Sequence, residues 1–218
     1  MTAPAADPTW HVVVTGPRAG DQRREALDYL AVSWGHRPGT FTVTHRCPQC
    51  GAEDHGAPEL RYTSTARRRR VRTTDSTSGA PDPLPAVSFS RSHGWLATAW
   101  VDGVSASQGW RIGVDVEDPA AAAFRTAEDL GAVAFAPDEA ATIDRLPASE
   151  QPLARARLWC LKEAVVKARG TGFDTDPATV RTGLAGHPEA IVVASEDWPG
   201  GPVGEGLIGV LVVLKAGV

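Results

Sequence analysis

Two acidic residues in an apolar run are the feature of this sequence best suited to metal chemistry. Asp115 and Glu117 alternate with valines at the end of residues 111–117. Alternate side chains of a strand share a face, so the two carboxylates are predicted to point the same way. Paired carboxylate oxygens suit Mg²⁺, and without a cation their charges repel each other. The alternative is an exposed strand edge that carries two polar residues.

A glutamate and a lysine one helical turn apart form the second candidate group. Glu163 and Lys167 are four residues apart within residues 159–172, so on a helix they share a face. Glu163 could complete a metal site with the strand acids, and Lys167 could neutralise a phosphate. The alternative is an ordinary surface ion pair, which stabilises a helix by only about 0.3 kcal/mol. Trp159 and Cys160 are predicted to be core residues of this helix.

A short serine–histidine turn is the third candidate. Ser92 and His93 precede Gly94, between two predicted strands. Such a turn could place a hydroxyl, an imidazole and backbone N–H groups against a phosphate. The alternative is a solvated histidine without a ligand. A hydrolase dyad is not indicated, because no Gly-x-Ser-x-Gly elbow surrounds the serine.

Two further segments invite a functional interpretation. Cys47, Cys50 and His55, with His45 nearby, have spacings that a zinc site can use, but a second cysteine pair is absent. The alternative is an ordinary loop whose thiols bind no metal. The arginine-rich run 67–72 is predicted to be a solvated loop, with docking of an acidic protein partner as the alternative. Nucleic acid is disfavoured because no aromatic residues are interleaved with the arginines.

The elements predicted to position these residues mix strands and helices in both halves of the chain, which predicts an α+β fold. Predicted strands are Trp10–Val14, Phe41–Thr44, Ala86–Ser90, Trp95–Val101, Arg111–Glu117, Ile191–Ala194 and Leu207–Leu214. Predicted helices are Asp21–Trp34, a segment from Pro137 to Pro147, and a longer one from Pro152 to Gly170. The turn-rich tract 46–58 and the Ser/Thr/Gly/Pro segment that ends near residue 85 are predicted loops.

Composition narrows the class of protein. The 218 residues suffice for a real core, and the hydrophobic share of 42% and charged share of 22% are ordinary for globular proteins. The net charge of −4 gives no basic field for nucleic acid. No apolar run is long enough to cross a bilayer, the first residues lack a secretory signal pattern, and three cysteines do not suggest a disulfide scaffold. A soluble cytoplasmic protein is expected.

Together the three segments SRSHG, GVDVE and WCLKEAVVKARGTG, in this order, resemble the surfactin-synthetase-activating (Sfp) type of 4'-phosphopantetheinyl transferase. The family pattern is a Ser-His turn, a Gly-[Ile/Val]-Asp-[Ile/Val]-Glu strand and a Trp-x-x-Lys-Glu-[Ala/Ser]-x-x-Lys-x-x-Gly-x-Gly helix end. The Cys-Pro-x-Cys-Gly and His-Gly-x-Pro tract of residues 47–58 is similar to actinobacterial members. The resemblance covers roughly residues 20 to 180, and the ordered set of motifs is specific.

The resemblance implies a pseudo-symmetric pair of similar α/β lobes, here residues 1–109 and 110–218, with the active site between them. It implies Mg²⁺, or Mn²⁺, held by Asp115, Glu117 and Glu163. Lys167 would contact the phosphates of coenzyme A and protonate the leaving group, and Ser92 and His93 would hold the 3',5'-ADP portion. Either Glu163 or a metal-bound water would take the proton of the attacking serine. Lys162 belongs to the motif and is a further candidate for cofactor binding.

The resemblance also implies partners: an apo acyl or peptidyl carrier protein of a polyketide or nonribosomal peptide assembly line, with a monomeric enzyme. The sequence departs from the family at two positions, because Ala57 and Asp28 stand where basic residues for coenzyme A are typical. Arg24 and Arg61 are candidates to replace those charges, as are Arg23 and Arg37. These departures motivate a rival hypothesis, a non-catalytic relative that binds carrier proteins or coenzyme A. A small zinc-binding adaptor is a third.

Overall fold

The computed structural model describes residues 7–18, 20–45, 50–53, 56–66, 83–172, 176–183, 190–198, 203 and 206–216. The strands are β1 (Trp10–Thr15), β2 (Phe41–His45), β3 (Pro58–Tyr62), β4 (Ala86–Ser92), β5 (Trp95–Val101), β6 (Trp110–Glu117), β7 (Ala190–Ala194) and β8 (Ile208–Lys215). The helices are α1 (Gln22–Ser33), α2 (Gly103–Ser107), α3 (Ala122–Arg125), α4 (Ala127–Ala134), α5 (Pro137–Asp144) and α6 (Gln151–Arg169).

The predicted elements are confirmed to within about two residues at each end, apart from the Pro137 helix, which ends at Asp144. The mixed α+β class is confirmed with them. Strand β3 was not predicted, because it begins at a proline and directly follows the turn-rich tract. Proline is tolerated at the first residue of a strand, and here Pro58 pairs with His45 at the end of the β2–β3 hairpin. The short helices α2, α3 and α4 were also missed.

Two three-stranded antiparallel sheets form the centre of the molecule. One has the strand order β1–β5–β4 and the other β6–β8–β7. Their inner faces share one hydrophobic core, in which Ala99 and Val101 of β5 lie with Ile112 and Val114 of β6. This core draws on residues from both sides of position 110, while the division into residues 1–109 and 110–218 stays a prediction.

The outer face of each sheet is covered by a helix. Leu27, Leu30 and Ala31 of α1 pack with Phe41 and Trp100 against the first sheet, whose cover the β2–β3 hairpin completes. Helix α6 covers the second sheet and forms a second hydrophobic core with it. Because side chains alternate along a strand, β6 presents valines to the shared core and its two acidic residues to the α6 side.

No helix in the described ranges has both the length and the apolar character needed to cross a membrane. Residues 46–49, 54, 55 and 67–82 lie outside the described part of the chain. The predicted zinc ligands Cys47 and His55, the arginine run, and most of the Ser/Thr/Gly/Pro segment therefore lie outside it too.

Candidate carboxylate–lysine active site

Helix α6 and strand β6 approach each other closely at Gly113. A Cβ on Gly113 would lie 1.9 Å from the carbonyl oxygen of Ala164 and 2.7 Å from the amide nitrogen of Ala168. Only a residue without a side chain permits that approach. Asp115 and Glu117 follow Gly113 at alternate positions on the same face of the strand, so they point towards the helix that carries Glu163 and Lys167.

The sequence of α6 explains why the helix covers this span. A proline lies in its first turn, where the missing N–H is not needed, and Gly170 ends it with a left-handed φ of 71°. Cys160, Ala164 and Ala168 are buried against Val210 and Val212 of β8. These small residues at helical spacing let the helix backbone lie close to the sheet. Glu163 and Lys167, which directly precede Ala164 and Ala168 in sequence, are thereby held at the edge of the sheet.

Asp115 is the centre of the cluster. This residue is 3% exposed, and its Oδ1 accepts two hydrogen bonds of 2.7 Å, one from the Lys167 ammonium and one from the Ser90 hydroxyl. Lys167 Nζ also donates to the carbonyl oxygen of Val114 at 3.1 Å. Asp115 Oδ2 is buried without a hydrogen bond of ordinary geometry to the described residues. A buried carboxylate oxygen without a donor is costly, which makes it a candidate ligand atom.

Glu117 and Glu163 lie in the same electrostatic environment. Burial, and then the charge of Asp115, raises the pKa of Glu117 from 4.5 to about 7, although Lys167 and a hydrogen bond from Trp159 oppose the rise. Burial, and then Asp115, likewise raises the pKa of Glu163 to about 7, with Lys167 opposing. Each carboxyl is therefore destabilised in its charged form by burial and by its neighbours. The two strand acids and the helix acid thus interact electrostatically, while their role as joint metal ligands stays a prediction.

Cys160 lies next to this cluster but is not suited to act as a nucleophile. Its side chain is fully buried. Burial, and then the charges of Asp115 and Glu117, raises the pKa of its thiol well above the usual range. A thiol that stays protonated is a weak nucleophile. Its prediction as a core residue is confirmed.

The donor set suits a hard divalent cation in its chemistry. Three carboxyls gather around one ammonium, one of their oxygens is buried without a donor, and two have raised pKa values. A cation would offset this repulsion. In the arrangement described, however, no three His, Cys, Asp or Glu side chains of the described residues are placed so that they could hold a metal ion. Lys167 supplies the positive charge beside Asp115 instead.

The serine–histidine turn joins β4 to β5. Ser92 pairs with Trp95, so His93 and Gly94 are the two central residues of a tight hairpin, with φ of 48° and 79°. Positive φ at both positions is typical of the type I′ turn. The Ser92 Oγ lies 3.1 Å from His93 Nδ1, and His93 Nε2 lies 3.4 Å from Asp118 Oδ2. The imidazole is therefore exposed at the end of β6, just beyond Glu117.

A buried glutamine that sequence reasoning missed fixes this turn. Gln22 Nε2 donates to the carbonyl oxygens of Gly94 at 2.6 Å and Gly16 at 2.8 Å. Its Oε1 accepts from Arg91 at 2.7 Å. Gln22, the first residue of α1, is only 5% exposed. The sequence indicated the buried face of this helix by its leucines and gave no sign that this glutamine is buried. One side chain thereby ties α1 to the loop after β1 and to the β4–β5 turn.

Lys162 has a different setting from Lys167. Its side chain is 1% exposed, its ammonium lies 2.6 Å from Glu139 Oε2, and it donates to the carbonyl oxygen of Pro177 at 2.9 Å. Glu139 also accepts from the amide of Ala136 at the start of α5. The ion pair thus fastens α5 to α6. A cofactor contact of Lys162 stays a prediction, and it would require this ion pair to open.

The two candidate arginines are exposed and engaged in local ion pairs. Arg24 lies 3.5 Å from Asp28, one turn further along α1, and Arg61 pairs with Glu59 on β3. Asp28 accepts from the amide of Gly39 at 2.6 Å, which ties α1 to the turn before β2. The acidic residue at position 28 therefore has a structural contact. The structure does not bring either arginine into contact with the carboxylates.

Of the zinc candidates, Cys50 is described and exposed, and His45 Nδ1 lies 3.0 Å from the carbonyl oxygen of Gly56. That carbonyl contact occupies one ring nitrogen of His45, while the other candidates lie outside the described residues. Zinc binding by this tract stays a prediction.

Comparison with known proteins bears on the part of the chain that contains the cluster. No curated protein matches the chain. Residues 111–197 match the family model of the 4'-phosphopantetheinyl transferase superfamily. The matched segment includes Asp115 and Glu117 of β6 and Glu163 and Lys167 of α6. The segment that contains the cluster is therefore similar to proteins of the 4'-phosphopantetheinyl transferase superfamily.

Proposed function

We propose that this chain is an Sfp-type transferase that moves the 4'-phosphopantetheine arm of coenzyme A to a serine of an apo acyl or peptidyl carrier protein. The second product is 3',5'-ADP. One observation carries the proposal: Glu117 of β6 and Glu163 and Lys167 of α6 interact with the buried Asp115, within the segment that matches the superfamily. Carriers of polyketide or nonribosomal peptide assembly lines are the proposed partners.

The order of strands supports the proposed pair of similar lobes. In each three-stranded sheet the first strand in sequence pairs with the last, and the last pairs with the middle one. In each half, a helix that covers the outer face of the sheet lies between the first and middle strands: α1 in one half and α6 in the other. This shared strand order and helix placement are what an internal duplication would produce, which favours the proposed lobes.

Asp115, Glu117 and Glu163 are proposed to hold Mg²⁺, with Mn²⁺ as the alternative. When bound, the cation supplies positive charge that offsets the charge of the pyrophosphate. Asp115 Oδ2, which has no hydrogen bond of ordinary geometry to the described residues, is the proposed ligand oxygen of this residue. Lys167 is 29% exposed, so its ammonium can leave Asp115 without crossing a packed core.

The chain's own residues are proposed to handle the proton and the phosphates. The carrier serine oxygen bonds to the β-phosphorus of coenzyme A, and the bond from that phosphorus to the bridging oxygen breaks. Glu163, whose carboxylate lies beside Asp115, accepts the serine proton. Lys167 binds the phosphate oxygens and donates a proton to the leaving 3',5'-ADP.

Recognition of coenzyme A is proposed to extend from the cluster to the turn. Ser92 and His93 would hold the 3',5'-ADP portion, since the exposed imidazole lies just beyond Glu117. Arg24 and Arg61 would supply positive charge from α1 and β3. Their exposed side chains are free to turn, because surface ion pairs of this kind are weak.

One observation favours a second candidate, a relative that binds carriers or coenzyme A without transfer. Asp28 stands where the family typically has a basic residue, and it is committed to the Gly39 amide and to Arg24. The charge that it contributes is unfavourable for phosphate. The lack of a basic residue at this position would weaken the binding of coenzyme A, whereas the acidic cluster is unaffected.

Incubation of the protein with coenzyme A, Mg²⁺ and a panel of apo carrier domains tests the proposal, with the carrier mass as the readout. The wild-type protein is expected to add the phosphopantetheine arm. Asp115→Ala and Glu163→Ala are each expected to abolish transfer while the fold persists by circular dichroism. Glu196→Ala is the matched control, because that glutamate pairs with Arg157 on the surface. Unmodified carriers throughout would favour the binding candidate, and near-full activity of either cluster variant would mean that the ligands are misassigned.

A further inference from the structure

A seam between β4 and β6 joins the two sheets through side chains. The strands belong to different sheets yet lie side by side. The Ser88 Oγ accepts from the amide of Val114 at 3.1 Å, and the Ser90 Oγ accepts from the amide of Val116 at 3.3 Å. Both serines are buried, at 2% and 8% exposure. Two hydroxyls at alternate positions thus satisfy two buried backbone donors of β6.

The two serines differ in where their hydroxyl hydrogen goes. Ser90 donates to Asp115 Oδ1 at 2.7 Å, whereas Ser88 has no carboxylate partner among the described residues. The Val116 amide holds the Ser90 oxygen, so the single O–H of this serine is directed at Asp115. A short hydrogen bond to a carboxylate is among the stronger ones in proteins.

This contact fixes which oxygen of Asp115 remains for a ligand. Oδ1 is bound by Ser90 and Lys167, whereas the buried Oδ2 has no hydrogen bond of ordinary geometry to the described residues, and the carboxylate is otherwise in contact with the weakly donating Cys160 thiol. Under the proposed function Lys167 must turn to the phosphates of coenzyme A. Ser90 has no such second task, because its side chain is enclosed by the seam. It is then the donor that keeps the carboxylate in place when the lysine leaves.

We infer that Ser90 is a positioning residue that orients Asp115 so that Oδ2 faces the cation site. The inference rests on the proposed function, since it assigns Ser90 a role in the metal site proposed there. Residues that hold a metal ligand in place change metal affinity or activity by about 10- to 100-fold when they are removed. A purely structural serine would change stability alone.

The chain contains its own control for that distinction. Ser90→Ala and Ser88→Ala each leave one buried amide of β6 unpaired, but only the first removes a hydrogen bond to Asp115. Ser90→Thr keeps the hydroxyl and suits a strand. The probe is Mn²⁺ alone, titrated into the metal-free protein and followed by electron paramagnetic resonance. Transfer to a carrier and the melting temperature are measured beside it.

Ser90→Ala is expected to weaken Mn²⁺ binding by about 10- to 100-fold and to slow transfer, while Ser88→Ala loses stability but binds Mn²⁺ like the wild type. Ser90→Thr is expected to restore most of the affinity.

Equal Mn²⁺ binding by Ser90→Ala and wild type, or equal weakening by Ser88→Ala, would overturn the inference while transfer by the wild type still stands. A wild-type protein that neither transfers nor binds Mn²⁺ refutes the proposed function and the inference with it. If it binds Mn²⁺ without transfer, only the proposed function fails, and the Mn²⁺ affinities still decide the role of Ser90.

Discussion

Substitution of Gly113 by alanine should separate α6 from β6 and thereby take apart the candidate site. The added Cβ would lie 1.9 Å from the Ala164 carbonyl oxygen, whereas ordinary contact begins at 3.4 Å. The helix backbone must therefore retreat by about 1.5 Å, from 1.9 to 3.4 Å. The atom that it meets is backbone, so no side-chain rotation relieves the clash.

Both stability and transfer should suffer. Overpacking of this kind costs about 1–3 kcal/mol, which lowers the melting temperature of a chain of this size by about 2–4 °C per kcal/mol. The retreat would also carry Glu163 and Lys167 away from Asp115, since both are on the displaced helix. A misplacement of about 1 Å can reduce a catalysed rate by about 100-fold.

The assay compares the initial rate of carrier modification, followed by mass spectrometry, with thermal unfolding of the same sample. Gly183→Ala is the matched control, because a Cβ there meets no atom within 4 Å. It should unfold and transfer like the wild type. If Gly113→Ala retains both the wild-type rate and the wild-type melting temperature, the close approach of α6 to β6 is not needed for the site.

Two further predictions concern charge in the interior. Since the pKa of Glu117 and of Glu163 is raised from 4.5 to about 7, the folded metal-free protein binds more protons than the unfolded chain in that interval. Its free energy of unfolding should fall as pH rises from about 4.5 to about 7 and level off above. Urea denaturation across this range should show the decline, and Glu117→Gln with Glu163→Gln should flatten it; an unchanged slope would contradict the assignment. Lys162→Met should destabilise the protein by about 3 kcal/mol, because it leaves Glu139 without its partner. An unchanged melting temperature with a higher KM for coenzyme A would instead identify Lys162 as a cofactor contact.

The sequence predicted the part of the site that depends on local periodicity. The alternation around Asp115 and Glu117 gave a strand with both acids on one face, and the spacing of Glu163 and Lys167 gave one helix face. These rules need only the geometry of a single element. The two-residue hairpin at His93 was equally local, and the predicted turn there is confirmed.

Contacts between distant segments could not be predicted in the same way. Ser90 and Asp115 are 25 positions apart in sequence, and nothing in the local pattern around Ser90 indicates that they form a hydrogen bond. A signal was present, because serines recur at alternate positions along β4 from Ser88 to Ser92. Polar residues on one face of a strand packed between others need partners, so this pattern indicates a polar seam.

The two motif lysines show the same limit. Lys162 and Lys167 look alike in sequence, yet one is fully buried against Glu139 and the other is partly exposed beside Asp115. Five residues along a helix turn a side chain by about 140°, so the two ammonium groups cannot share one partner. Which of them enters the core depends on α5, whose position the sequence does not specify.

In the proposed site, strand β6 and helix α6 hold a single cation between three carboxylates. The most direct test of this arrangement is a crystal structure of the protein soaked in Mn²⁺, with data collected at a wavelength where manganese scatters anomalously. We expect one anomalous peak bonded to oxygens of Asp115, Glu117 and Glu163, with Lys167 moved off Asp115. A fully soaked crystal with no peak there, and with Lys167 still bound to Asp115, would contradict it.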